Sequence, residues 1–75
     1  MHQDREAAAA VASLSERERQ VCALIAEGFT NPEIAQRLYL SVDTVKSHVR
    51  SILAKFHVES RGEAGRIFRR ITRNG

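Results

Sequence analysis

A chain of 75 residues holds one small domain at most, and a domain of that size can bury only a modest core. Hydrophobic residues make up 43% and aromatic ones 5%, with no tryptophan and one proline, which suits a small helical bundle of Leu, Ile, Val and Ala and leaves no strand pattern of useful length. The net charge of +3 is divided unevenly: residues 1–40 carry four Lys/Arg and six Asp/Glu, residues 41–75 eight and three, so the basic second half favours a polyanionic partner, without choosing among DNA, RNA and an anionic membrane.

Met1 to Ala12, MHQDREAAAAVA, is charged and then alanine-rich. Alanine favours helix, but an isolated segment this short is marginal in water, so residues 1–13 read as a flexible tail or the remnant of a linker. The domain proper is expected over residues 14–73. Ser15 and Glu18 have the spacing of a capping box, with Leu14 placed to staple onto the first turn, and they open the first helix. Val21, Leu24 and Ile25 are its buried stripe, Arg17 and Glu18 its wet side, and Gly28 its left-handed end. Cys22 lies among the apolar residues and reads as a buried, inert thiol; being alone, it forms no intramolecular disulfide, in keeping with a reducing cytoplasm.

The next stretch, TNPEIAQRLYLSVDTVKSHVRSILAKF from Thr30 to Phe56, organises the rest. Thr30 and Glu33 form a second capping box, with Asn31 as an alternative cap, and Pro32 falls in the first turn either way. Ile34, Ala35 and Leu38 recur at helical spacing, and Ala35 is small enough for a neighbouring helix to cross closely. Ser41 caps a longer helix from about Val42 to Phe56, whose inner face is Val42, Val45, Val49, Ile52, Leu53 and Phe56. A short helix, a tight turn and a longer helix is the unit that sets one helix into the DNA major groove.

At about 100° per residue, Asp43, Lys46, Ser47, Arg50 and Ala54 fall opposite the apolar stripe. Two cations one turn apart, flanked by small residues, suit a groove: the cations reach guanine O6 and N7 or phosphate, and the small residues permit close approach. An ordinary solvated face would carry a similar charge pattern; the helix-turn-helix spacing upstream is what favours DNA.

His57 stands where glycine would be the easy left-handed cap. Ser60 and Glu63 form a third S-x-x-E box and start a last helix, with Ala64, Ile67, Phe68 and Ile71 as its apolar stripe and Arg66, Arg69, Arg70 and Arg73 on its other side. The expected architecture is all-α, a compact four-helix domain around a central helix-turn-helix. No apolar run reaches membrane length and no signal peptide is evident. Cys22, His48 and His57 match no common metal-ligand spacing, so no metal is expected. There is no Gly-rich phosphate loop, and Ser41 and Ser60 read as caps rather than nucleophiles, so no enzyme is expected.

The ordered set L-S-E-R-E-x-x-V, EG-x-TN-x-EIA-x-x-L, S-x-x-TVK-x-HV-x-x-I-x-x-K and V-x-x-R-x-EA, from Leu14 to about Phe68, resembles the LuxR-type helix-turn-helix domain of bacterial transcription regulators. The resemblance implies a cytoplasmic, sequence-specific binder of double-stranded DNA with its third helix in the major groove and no cofactor. It would be either the output domain of a larger response regulator or a short stand-alone member. Carried over position by position, the resemblance gives base contacts to Lys46, Ser47 and Arg50 and phosphate contacts to Thr30, Asn31, Thr44, Lys55 and Arg61. It also implies a homodimer on DNA, weak in solution, through Val58, Ala64, Ile67, Phe68 and Ile71, with RNA polymerase as a candidate further partner. Glycine is usual where His57 stands and leucine where Phe56 stands, so the entry into the last helix is expected to differ. The rival reading is a basic protein-interaction module that docks an acidic partner or a membrane surface through its last helix.

Overall fold

A computed structural model describes residues 2–74, which form five helices: α1 (His2–Ala12), α2 (Glu16–Ala26), α3 (Asn31–Leu38), α4 (Val42–Phe56) and α5 (Arg61–Asn74). Four of the helix starts follow from side chains that satisfy otherwise unpaired backbone donors. Ser15 Oγ accepts from Glu18 N at 3.1 Å while Glu18 Oε1 accepts from Ser15 N at 2.9 Å. Thr30 and Glu33 repeat the reciprocal pair at the head of α3, so Thr30 rather than Asn31 is the cap. Ser41 accepts from Thr44 N and Ser60 from Glu63 N, opening α4 and α5.

Three helix ends share one device. Phe29 N donates to Leu24 O, Leu40 N to Ala35 O and Val58 N to Leu53 O, at 2.9–3.1 Å. Each of these six-residue closures needs a left-handed residue just before its donor. Gly28 supplies it at φ +93°, but Tyr39 and His57 adopt φ +58° and +57° with full side chains. The expectation for His57 is met. Tyr39 is an additional left-handed position, and its ring is 94% exposed.

The core is built from Val21, Cys22, Ile34, Val45 and Ile52, all fully buried, with Phe56, Ala64 and Phe68 closing it. Ala35 lies where α3 meets α4, and Ala64 and Gly65 line the side of α5 that packs on α2. A Cβ on Gly65 would stand 3.1 Å from the Ala26 Cα, so α5 and α2 approach closely there and a side chain would require α2 to give by a few tenths of an ångström.

Two expectations are corrected. Residues 2–12 are not a loose tail: they form α1, which packs on α5 and α4 and places Val11 in the core at 5% exposure. The helix count therefore rises from four to five, within the all-α class expected. Glu18 is not on a wet side: it is 7% exposed and lies between α2 and α4.

Candidate nucleic-acid interface

Helix α4 is amphipathic across its whole length. Val45, Ile52 and Phe56 are buried beneath it, while Lys46, Ser47 and Arg50 are exposed on its outer side. Val49 is half-buried, which makes Val45 and Ile52 the more demanding core positions. α3 packs against α4 through Ile34 and Ala35 and holds the outer side of α4 clear of the domain.

The structure brings some of the expected contact residues together and not others. Lys46, Thr30, Asn31 and Arg61 line one open groove floored by Phe29 and Val42, so residues from three helix starts meet beside the exposed face of α4. Arg61 is tied to the α2–α3 turn: its Nη1 donates to Asn31 Oδ1 at 2.6 Å and its Nη2 to Phe29 O at 3.0 Å. With Asn31 Oδ1 engaged, the amide's Nδ2 is the end left to donate to an incoming acceptor. Thr44 Oγ1 accepts from Ser41 Oγ at 2.8 Å, so its own proton is likewise directed away from the cap.

Lys55 falls outside this group. Nine residues along α4 from Lys46, or about 14 Å, its Nζ lies 2.7 Å from Glu18 Oε1 and 3.1 Å from Ser13 O. Its charge is matched within the domain, a pairing that the spacing of residues along the chain does not disclose. Glu18 also accepts from Ser51 Oγ and from Ser15 N. Burial pushes the Glu18 carboxyl up, but the hydrogen bonds from Lys55, Ser51 and Ser15, with the Lys55 charge, outweigh it and hold the group at about 2. The available signal is the Ser51/Lys55 pair, spaced four residues apart at the margin of the α4 stripe.

The apolar positions carried over as dimer contacts divide by burial. Ala64 and Phe68 are inside the domain's own core, at 0% and 7% exposure, and Val58, Ile67 and Ile71 are half-buried against the same core. A short domain has few apolar residues, and α5 uses its stripe to close the interior, chiefly against α2.

The remaining chemistry is quiet. Cys22 is fully buried and free, and burial pushes its thiol up to about 12 against the opposing charge of Arg19. Among the described residues no group of three His, Cys, Asp or Glu could hold a metal ion, and no helix is long and apolar enough to cross a membrane.

Residues 12–68 match the family model described as bacterial regulatory proteins, luxR family. The chain belongs to that family. It carries the family's helix-turn-helix, the DNA-binding unit of transcription regulators, which favours that reading over a module for acidic proteins or membranes. Among curated relatives, it is 46% identical over 52 residues to the "Transcriptional regulatory protein LiaR" of Bacillus subtilis, covering 69% of this chain and 25% of that protein. It is 45% identical over 51 residues to the "Response regulator protein VraR" of Staphylococcus aureus and of Staphylococcus saprophyticus, covering 68% of this chain and 24% of those proteins. The chain thus spans about a quarter of the length of the relatives it matches.

Proposed function

We propose that α4 enters the major groove of duplex DNA, that Lys46, Ser47 and Arg50 read base edges there, and that the domain serves as the output unit of a cytoplasmic response regulator. The observation that carries this reading is the exposed Lys46/Ser47/Arg50 face seated directly over the buried Val45 and Ile52. A rigid, apolar underside holds two cations one turn apart with a short serine beside them, as a major-groove contact requires. Thr30, Asn31, Thr44 and Arg61 supply phosphate contacts that fix the register of α4, and such contacts carry position rather than sequence. Lys55 is left out of this set because its ammonium neutralises Glu18.

Two copies bind on paired half-sites, and their association is weak without DNA. Ala64 and Phe68 take no part in that contact, being enclosed by their own domain. RNA polymerase is the downstream partner that transcription regulation calls for.

The test begins with fragments selected from genomic DNA by the whole chain. Lys46→Ala and Arg50→Ala are each expected to weaken binding to the selected site by about 1–3 kcal/mol where the contact is bidentate to a base, measured by fluorescence anisotropy at fixed salt. Both variants should melt like the parent, since both positions are exposed. Unchanged affinity in both would remove the assigned face. Analytical ultracentrifugation with and without duplex reads the pairing, and a strictly one-to-one complex on a two-fold symmetric site argues against it.

A further inference from the structure

The groove that holds Lys46, Asn31 and Arg61 does not end at α5. It runs into a second groove between α5 and the end of α2, and the two share Ile25, Gly28 and Gly62 as walls. The second groove is lined by Arg66 and Arg69, with Glu27 as its acidic side chain. Arg66 does not point off into solvent from its own turn: its Nη1 lies 3.6 Å from where a Cβ on Gly62 would be, so the guanidinium folds back over the first turn of α5. The missing side chain at Gly62 leaves the passage between the two grooves open. Arg66 and Arg69 are both exposed.

From this geometry we infer that the DNA-binding surface extends beyond the helix-turn-helix along α5, with Arg66 and Arg69 taking backbone phosphates next to those held by Arg61 and Asn31. The inference rests on the proposed docking of α4 and adds residues to it. Charge complementarity selects the occupant: Lys46, Arg61, Arg66 and Arg69 form a run of cations opposed by Glu27, and it is continuous with the exposed face of α4. A duplex backbone presents negative charge at regular spacing along such a run. Arginine forks suit phosphate oxygens, and contacts of this kind strengthen all duplexes alike rather than one sequence.

The experiment is a salt titration of binding with the whole chain, the double variant Arg66→Ala/Arg69→Ala, and Arg66→Lys/Arg69→Lys, each on its selected site and on an unrelated duplex. For the alanine pair, the slope of log affinity against log salt should become shallower by about 0.9 for each phosphate that is no longer neutralised. Affinity should fall by the same factor on both duplexes, and the lysine pair should keep the parent slope. Melting curves verify that the variants are folded. If the parent binds duplex and the alanine pair keeps both slope and affinity, the extension along α5 is overturned while the α4 reading stands. If the parent binds no duplex at all, the α4 reading fails and the extension fails with it. Loss confined to the selected site would also overturn the proposal, because it would place Arg66 and Arg69 on base edges.

Discussion

Glu18 carries more of the structure than any other polar residue. One carboxylate caps α2 through Ser15, accepts the Ser51 hydroxyl of α4, and neutralises Lys55, which in turn reaches the Ser13 carbonyl just beyond α1. Removing one partner of such a cluster strands the others in a place with little water. Its carboxyl is held at about 2, below the ordinary 4.5. A depressed folded-state value contributes stability that is complete above the ordinary value and is lost as pH falls through the folded one. Between about pH 5 and pH 2 the parent should therefore lose stability that Glu18→Gln does not have to lose. At neutral pH we expect Glu18→Gln to cost about 1–3 kcal/mol, the upper end being reduced by solvent screening at Lys55, which is 36% exposed. Urea unfolding of both proteins across that pH range measures this, and parallel curves would show that the cluster contributes nothing by charge.

At the scale of elements, starts and stops are specified differently. The starts of α2 to α5 rest on Ser or Thr with a partner three residues on, a local pattern that sequence displays directly, and those starts lie where they are expected. Stops rest on left-handed backbone, which glycine announces at Gly28 and which Tyr39 hides. A tyrosine is not an intrinsic helix stop; it takes φ +58° because Leu40 must turn inward to pack and its N–H must close on Ala35 O. The same logic hid Glu18, whose capping role is local but whose partners Ser51 and Lys55 come from α4. The exposed face of α4 was legible because helical periodicity alone separates Lys46 and Arg50 from Val45 and Ile52. Which residues of the α5 stripe stay accessible was not, since an apolar stripe does not say whether its own core or a second copy covers it. Non-glycine residues in the left-handed region carry about 1 kcal/mol of strain. His57→Gly is therefore expected to raise stability by up to about 0.6 kcal/mol, net of the added freedom of the unfolded chain. His57 is exposed and its capping bonds run through the backbone, so they survive the substitution. Thermal melts would read it as a rise of a few degrees, and a fall would mean that the His57 ring is held by something other than its backbone.

For the molecule as a whole, the question is what α1 is for. The family match begins at residue 12, so nearly all of α1 precedes the unit that the chain shares with its relatives. An alanine-rich helix of 11 residues is marginal by itself. Its order in the structure has a tertiary source: it lies across α5 and α4, and Val11 enters the core beside them. A domain of this size gains disproportionately from each added buried residue, because so much of its surface stays wet. If α1 belongs to the folding unit, Val11→Ala should lower stability by about 1–2 kcal/mol, through lost apolar burial and the space left behind. In a domain of this length that corresponds to a drop in Tm of about 4–8 °C per kcal/mol. Arg5→Gln, an exposed position of the same helix, should leave Tm unchanged. In the proposed docking α4 depends on the core beneath it holding still, so Val11→Ala should act on DNA affinity solely through the folded fraction. Below the midpoint of its melt it should bind duplex like the parent. A Val11→Ala protein with the parent's Tm would mean that α1 lies on the domain without supporting it.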